Sequence, residues 1–226
     1  MTRMPTIEAV VPVRGLPAGK TRLAAVLAPE ERNRLVRAML EDVVATLRRC
    51  PAIRRVTVLS RDVAAAREAQ RLGADFLQQP PTADGLNAAL QFAQEARAQA
   101  DALLIVPADL PLITPADVDQ VIGALAPPPS VALAPSYDGG TNALLLSPPL
   151  VIAPAFGPHS ADRHAAAAKA AGATVVIIQG EYWALDLDSP EDIARLLAQN
   201  EGPAAGRSLE TLRYLRGWTE SSRDRA

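Results

Sequence analysis

A short apolar run that ends in a carboxylate constrains the fold of this chain more than any other feature. Residues 102–106 read Ala-Leu-Leu-Ile-Val, and Pro-Ala-Asp-Leu-Pro follows at 107–111. An unbroken apolar run of this length is typical of a strand that is buried on both faces, as in parallel sheets covered by helices. Because ligands bind at the carboxyl ends of the strands in open α/β sheets, we predict that Asp109 faces a ligand crevice.

The rest of the chain alternates strand and helix, which predicts a single-domain α/β fold with a mostly parallel sheet and helices on both faces. The predicted strands cover residues 7–13, 56–59, 74–77, 102–106, 131–134, 143–146 and 174–178, and the predicted helices cover 29–49, 62–72, 86–98 and 160–171, with further helices that begin at Thr114-Pro115 and Ser189-Pro190. We expect the domain to span residues 1–200, followed by a C-terminal tail over 201–226. A short helix over 208–217 could pack on its own domain or on a partner, and a homodimer is one expectation.

Composition narrows the setting and the partners. The chain has 226 residues, of which 49% are hydrophobic, enough for one substantial core. A net charge of -2 gives no electrostatic reason to expect nucleic acid or an anionic membrane as a partner. Cys50 is the single cysteine, which excludes an internal disulfide, and we expect its thiol to be a packing group. No apolar stretch is long enough for a signal peptide or a membrane span, so a cytoplasmic protein is expected.

A second acidic segment, residues 185–188, reads Leu-Asp-Leu-Asp. On a strand, Asp186 and Asp188 would point to one face while the two leucines point into the core. Two neighbouring carboxylates repel each other unless a cation lies between them, and carboxylate oxygens suit Mg²⁺. We therefore predict that these residues and Asp109 bind a metal ion. The simpler alternative is that one of them helps to cap the following helix.

The loop after the first strand carries three cations, Arg14, Lys20 and Arg22, on a glycine-rich turn. Its segment 15–21 is similar to a Walker A phosphate-binding loop, but that motif needs four residues between its glycines and this loop has three. We therefore disfavour a P-loop NTPase. A turn that wraps a nucleoside triphosphate, with the cations on its phosphates, fits better. Solvated surface charge is the simpler alternative for the two arginines.

Further short segments complete a set with a recognisable order. The set is Val11-Pro12-Val13-Arg14, Lys20-Thr21-Arg22-Leu23, Gly85-Leu86-Asn87, Pro107-Ala108-Asp109-Leu110-Pro111, Gly139-Gly140-Thr141-Asn142, Phe156-Gly157-Pro158-His159-Ser160 and Leu185-Asp186-Leu187-Asp188-Ser189-Pro190. Over roughly residues 7–198 it resembles the 2-phospho-L-lactate or phosphoenolpyruvate guanylyltransferases of deazaflavin-coenzyme biosynthesis. The resemblance implies a nucleotidyltransferase fold, like that of nucleotide-diphospho-sugar transferases.

The resemblance also implies an activity and a set of site residues. Such an enzyme transfers GMP from GTP to the phosphate of a small phosphorylated three-carbon acid, with Mg²⁺, and releases pyrophosphate. We favour phosphoenolpyruvate and keep 2-phospho-L-lactate and 3-phospho-D-glycerate open. The expected roles are catalysis for Lys20 and Asp109; metal binding for Asp109, Asp186 and Asp188; acid binding for Thr141, Gly157 and Ser160; and nucleotide binding for Pro12, Val13, Arg14, Lys20, Arg22 and Asn87. Arg14 departs from the family's expected lysine.

Ser160 and His164 lie on the helix predicted over 160–171. The Ser160 hydroxyl and the free N–H groups of the first turn would make a phosphate site, or the serine is an ordinary N-cap. We expect His164 to be a structural or phosphate-side polar group. No general base is needed, because the attacking phosphate oxygen is already ionised at neutral pH.

Two other functions stay open at this point. One is a different nucleotidyltransferase of the same fold, acting on molybdopterin or a sugar phosphate. The other is a nucleotide-sensing module without catalysis, against which the three aspartates of the predicted metal site argue.

Overall fold

A seven-stranded sheet forms the centre of the structure, a computed structural model that describes residues 5–13, 20–199 and 209–223. The strands are β1 (Ile7–Pro12), β2 (Ile53–Ser60), β3 (Asp75–Gln78), β4 (Ala102–Ile105), β5 (Ser130–Pro135), β6 (Thr141–Ser147) and β7 (Thr174–Ile177). Their order across the sheet is β3-β2-β1-β4-β6-β5-β7. All neighbours are parallel except β6, which runs antiparallel to both β4 and β5.

Helices cover both faces of this sheet. They are α1 (Pro29–Arg48), α2 (Ala64–Arg71), α3 (Gly85–Ala96), α4 (Pro115–Gly123), α5 (Ser160–Ala170), α6 (Glu181–Ala184), α7 (Pro190–Gln199) and α8 (Glu210–Arg223). Strand β4 shows why both layers are needed, because all of its side chains are buried. Leu104 packs in the core on the α1 side, whereas Leu103 and Ile105 pack in the core on the side of α3 and α5. The α/β architecture predicted from the apolar run is confirmed.

Local sequence signals set several of the boundaries. Thr114 caps α4 through a reciprocal pair with Asp117, whose amide donates to the threonine hydroxyl while its carboxylate accepts from the Thr114 amide. Cys50 is buried in the core, where burial raises the pKa of its thiol to about 11, in line with a packing role. Within the part of the chain that the structure describes, no helix has both the length and the apolarity needed to cross a membrane.

The antiparallel insertion of β6 has a direct consequence for the site. Ile105, at the end of β4, pairs with Leu144, so the first residue of β6 lies beyond the carboxyl end of β4. The start of an antiparallel strand therefore meets the ends of the parallel strands at one edge of the sheet. Thr141 and Asp109 reach the same crevice for this reason.

The acidic segment at 185–188 is not a strand, contrary to the prediction. It is an extended stretch without a ladder partner that follows α6, a short helix the sequence did not indicate. The alternation nevertheless holds: Leu185 and Leu187 are buried, whereas Asp186 and Asp188 are partly exposed. A hydrogen bond from the Leu187 amide to the Asp109 carbonyl, 3.0 Å long, joins this stretch to the end of β4.

The C-terminal helix α8 is longer than predicted and packs on its own domain. Leu212 and Leu215 are buried in the core. Asp42 of α1 accepts hydrogen bonds of 2.9 Å from the amides of Glu210 and Thr211, the first two residues of the helix. These contacts join residues beyond 200 to the same core as the sheet, while the homodimer stays a prediction.

We expect Asp42→Ala to lower the free energy of unfolding by about 2 kcal/mol, because it removes a helix cap and leaves two amides without acceptors. Asp42→Asn keeps one acceptor oxygen and should lose less. Urea denaturation measures both. Equal stability of the alanine variant and the wild type, within about 0.5 kcal/mol, would contradict this account of how α8 is held.

Candidate active site

One large cavity opens at the carboxyl edge of the sheet, with a volume of about 960 Å³. This is near the upper end of ordinary ligand pockets, roughly 300–1,000 Å³. The predicted site residues that line it are Pro12, Val13, Lys20, Arg22, Asp109, Thr141, Gly157, Ser160, Asp186 and Asp188. Residues that are far apart in the sequence therefore line one cavity.

The Lys20 side chain lies between two aspartates. Its Nζ donates to Asp109 Oδ2 at 2.5 Å and also to Asp188 Oδ1. Only 11% of the lysine side chain is exposed, against 25% for Asp109 and 39% for Asp188. Water therefore screens the Asp188 contact more, and the Asp109 contact is the stronger one. Burial by itself would lower the pKa of Lys20, but the two carboxylate charges and their hydrogen bonds outweigh it and raise the pKa.

Lys20 also has an unusual backbone. Its φ of 57° and ψ of 52° place it in the left-handed region, immediately before a 3₁₀ turn at Thr21–Ala25. That conformation costs roughly 1–2 kcal/mol for a residue with a Cβ. The ion pairs with the aspartates offset this cost. Strain of this kind is common where a side chain must be aimed at a functional position.

Asp186 completes the acidic group. Burial, and then the charge of Asp109, raises the pKa of its carboxyl to about 6, and Asp188 adds to the shift. Three carboxylates thus face one ammonium, and the group keeps net negative charge. Oxygen donors with an excess of negative charge have the chemistry that suits a hard divalent cation.

The predicted metal site is not preassembled. Across residues 5–13, 20–199 and 209–223, no group of three His, Cys, Asp or Glu side chains stands in an arrangement that could hold a metal ion. The Lys20 ammonium instead bridges two of the three predicted ligands. The donor chemistry fits Mg²⁺, and metal binding by Asp109, Asp186 and Asp188 stays a prediction.

Hydroxyl groups also line the cavity. Ser160 Oγ donates to Thr141 Oγ1 at 3.0 Å, and both residues are buried. Gly157 has a φ of 125°, which favours glycine and lets the backbone approach the cavity without a side chain. Thr141, Gly157 and Ser160, predicted to bind the acid, therefore line one wall.

The first turn of α5 differs from the sequence prediction. The N-cap is His159, in the left-handed conformation, rather than Ser160. The Ser160 amide donates to the Gly157 carbonyl at 3.1 Å, and the Ala161 amide donates to the Gly139 carbonyl at 3.2 Å. These amides are not free for a phosphate, so recognition of an anion here falls mainly on the hydroxyl groups.

Asn87 is placed differently from the other nucleotide-side residues. Its amide nitrogen donates to the Phe156 carbonyl at 3.1 Å, and its oxygen accepts from the Phe156 amide at 2.7 Å. Both ends of the side chain thereby hold the loop that carries Gly157. A direct nucleotide contact by Asn87 stays a prediction, and Arg14 lies outside the described residues.

The sequence prediction did not name Ser136 and Asp138, which also line the cavity. The Ser136 hydroxyl and the Gly140 amide donate to Asp138 Oδ1, and these two bonds lower the pKa of Asp138. A Cβ on Gly140 would come within 2.5 Å of Ser136 Oγ, so a larger residue there would displace the serine hydroxyl from Asp138. The sequence Asp138-Gly139-Gly140 is the local signal that could have identified this turn.

His164 is fully buried, and burial together with the charge of Arg163 lowers its pKa to about 4. In the unfolded chain, the same imidazole binds a proton with an ordinary pKa of about 6.5. Between pH 6.5 and 4 the unfolded state binds a proton that the native state does not, so stability falls as the pH falls. Above pH 6.5 the residue has no effect on the pH dependence.

We expect the His164 imidazole to lower the free energy of unfolding by about 3 kcal/mol as the pH falls from 6.5 to 4. Urea denaturation across that range, for the wild type and for His164→Gln, isolates the contribution because all other titrating groups are shared. The variant should lose stability less steeply toward acid. Parallel pH profiles for the two proteins would contradict a neutral buried imidazole.

Comparison with known proteins identifies the family of this chain. Residues 7–226 match the family model described as "Guanylyl transferase CofC like". A phosphoenolpyruvate guanylyltransferase from Sphaerobacter thermophilus is 43% identical over 194 residues, which cover 84% of this chain and 92% of the relative. A 2-phospho-L-lactate guanylyltransferase from Methanothermobacter thermautotrophicus is 36% identical, with 91% of each chain covered.

A solved structure supports the fold. It is a putative nucleotide-diphospho-sugar transferase from Desulfovibrio desulfuricans G20, which superposes with a TM-score of 0.79 at 18% identity and 98% coverage of both chains. The predicted nucleotidyltransferase fold is therefore confirmed. The family model matches residues 7–226, and the relatives are similar over most of their length. The chain therefore belongs to the CofC-like guanylyl transferase family.

Proposed function

We propose that this chain transfers GMP from GTP to the phosphate of a small phosphorylated three-carbon acid, with Mg²⁺, and releases pyrophosphate. Phosphoenolpyruvate is the favoured acid, and 2-phospho-L-lactate and 3-phospho-D-glycerate are the alternatives. The observation that carries the proposal is the single cavity that joins the Lys20–Asp109–Asp188 cluster to the hydroxyl-lined wall. A cytoplasmic location is part of the same proposal.

The chemistry needs positioning and charge neutralisation more than proton transfer. An ionised phosphate oxygen of the acid attacks the α-phosphorus of GTP, forming a P–O bond as the α–β anhydride bond breaks and pyrophosphate leaves. Holding two anions at attack distance is the main task, and cations reduce their repulsion. No side chain has to remove a proton.

Lys20 and Arg22 supply protein charge to the nucleotide phosphates. The lysine ammonium has three N–H donors, two of which bond to Asp109 and Asp188, so a third can donate to a phosphate oxygen. Its raised pKa keeps it charged at neutral pH. Arg22 is exposed in the cavity wall and can follow the phosphates.

Asp109, Asp186 and Asp188 would hold Mg²⁺, and the bound ion would supply positive charge to the phosphate oxygens. The neighbouring ammonium orients the Asp109 and Asp188 carboxylates toward the cavity. Thr141 and Ser160 offer hydroxyl groups to the acid, and Gly157 leaves space for its phosphate. The acid would therefore bind at the hydroxyl-lined wall of the same cavity.

A substrate panel tests the proposal. We expect pyrophosphate release when GTP and Mg²⁺ are combined with one of the three acids, much less release with ATP or CTP, and loss of release in EDTA that added Mg²⁺ restores. Release only with a sugar phosphate would reassign the chain to another nucleotidyltransferase of this fold. GTP binding without release for any acceptor would favour a nucleotide-sensing module.

We expect Lys20→Met to lower kcat/KM by about 10²–10³-fold, the usual loss when one charge-stabilising donor is removed. Lys169→Met is the matched control, because Lys169 is exposed in the last turn of α5. Steady-state pyrophosphate release measures both, and thermal melting checks that each variant folds. A folded Lys20→Met enzyme within threefold of the control would contradict the role of Lys20.

A further inference from the structure

His164 lies behind the hydroxyl-lined wall and has two well-formed hydrogen bonds. Its Nε2 accepts from the backbone amide of Ala155 at 2.9 Å, and its Nδ1 lies 3.0 Å from Thr141 Oγ1. The ring is fully buried and packs edge-on against Phe156, with centroids 5.0 Å apart. The ring therefore contacts two residues that line the cavity, Thr141 through a hydrogen bond and Phe156 through an edge-on ring contact.

The Ala155 amide fixes the tautomer of the ring. A backbone N–H can only donate, so Nε2 must present its lone pair and cannot carry a proton. Arg163 holds the next peptide group of the same residue, because its guanidinium donates to the Ala155 carbonyl at 2.7 Å. A neutral imidazole then has its single proton on Nδ1, and this proton can only be directed at Thr141 Oγ1.

The hydroxyl groups of Thr141 and Ser160 have one hydrogen each to donate. Thr141 Oγ1 accepts from His164 Nδ1, so its own hydrogen does not point at the ring. One hydrogen bond of 3.0 Å joins the Thr141 and Ser160 hydroxyls, and it uses one of their two hydrogens. The other hydrogen remains, and both residues line the cavity. His164, Thr141 and Ser160 together therefore leave one O–H donor for a ligand in the cavity.

The opposite tautomer would give a different surface. With the proton on Nε2, Nδ1 would accept the Thr141 hydrogen, and Ser160 would donate to Thr141. Neither hydroxyl would then have a hydrogen for the cavity. The position of one buried proton thus decides whether this wall donates to an anion or presents only acceptor oxygens, which would repel it.

We propose that His164 is a positioning residue that, through Thr141, fixes a hydroxyl donor for the phosphate of the acceptor acid. The proposal rests on the proposed function and adds a residue that does not itself touch substrate. It accounts for a buried histidine at a wall where the first amides of α5 are already bonded to the chain.

The tautomer can be measured without turnover. Long-range ¹H–¹⁵N correlation of the imidazole nitrogens at pH 7 distinguishes a protonated Nδ1 from a protonated Nε2, and His159 is the only other histidine. We expect His164 to carry its proton on Nδ1. A proton on Nε2, or on both nitrogens, would overturn the proposal even if the enzyme is active.

A double-mutant cycle tests the coupling to substrate. We expect Thr141→Val and His164→Leu each to raise the KM for the acid about tenfold or more, as for a lost hydrogen bond to a charged group, with the KM for GTP changed less than twofold. The double variant should be no worse than Thr141→Val alone, because the histidine acts through the hydroxyl.

Additive effects in the cycle would overturn the positioning role, as would equal rises in both KM values, which indicate a general structural defect. An unchanged acid KM in Thr141→Val would overturn it too, while leaving the proposed function intact. Absence of turnover by the wild type with every acid would contradict the proposed function instead. The tautomer is read on the wild-type protein, so it gives a result even if a variant fails to fold.

Discussion

The charge interaction between Lys20 and the aspartates is the constraint on which the rest of the site depends. Asp109 lies 89 residues from the lysine and Asp188 lies 168 residues from it, so the contact joins three distant parts of the chain. Lys20 and Asp109 are mostly buried, so losing either would leave a poorly screened charge without compensation, whereas the more exposed Asp188 is screened by water. The two contacts therefore hold Lys20, the end of β4 and the 185–188 segment together.

The sheet topology explains why the hydroxyl-lined wall and that cluster lie at the same edge of the sheet. Parallel strands β1 and β4 deliver Pro12 and Asp109 at their carboxyl ends. Strand β6 runs the other way, so it delivers Thr141 at its start rather than at its end. One antiparallel strand in a mostly parallel sheet thus puts the hydroxyl wall and the acidic group at the same edge, where two phosphorylated substrates could meet.

Much of this could be predicted from the sequence, because the relevant signals are local. The apolar run before Asp109 and the threonine cap of α4 each depend on neighbouring residues alone. The acidic segment was wrongly predicted as a strand, because alternating Leu and Asp specify which side chains are buried but not whether a partner strand is present. The bracing role of Asn87 depends on a residue 69 positions away. No local pattern reports such a contact.

The central claim is that the cavity binds GTP and a divalent cation at the cluster of Lys20, Asp109, Asp186 and Asp188. A crystal structure with GTP and Mn²⁺, with the manganese located by its anomalous signal, tests it most directly. The account predicts manganese coordinated by at least two of the three carboxylates and the triphosphate beside Lys20. Bound GTP with the manganese elsewhere, or a nucleotide outside this cavity, would contradict it.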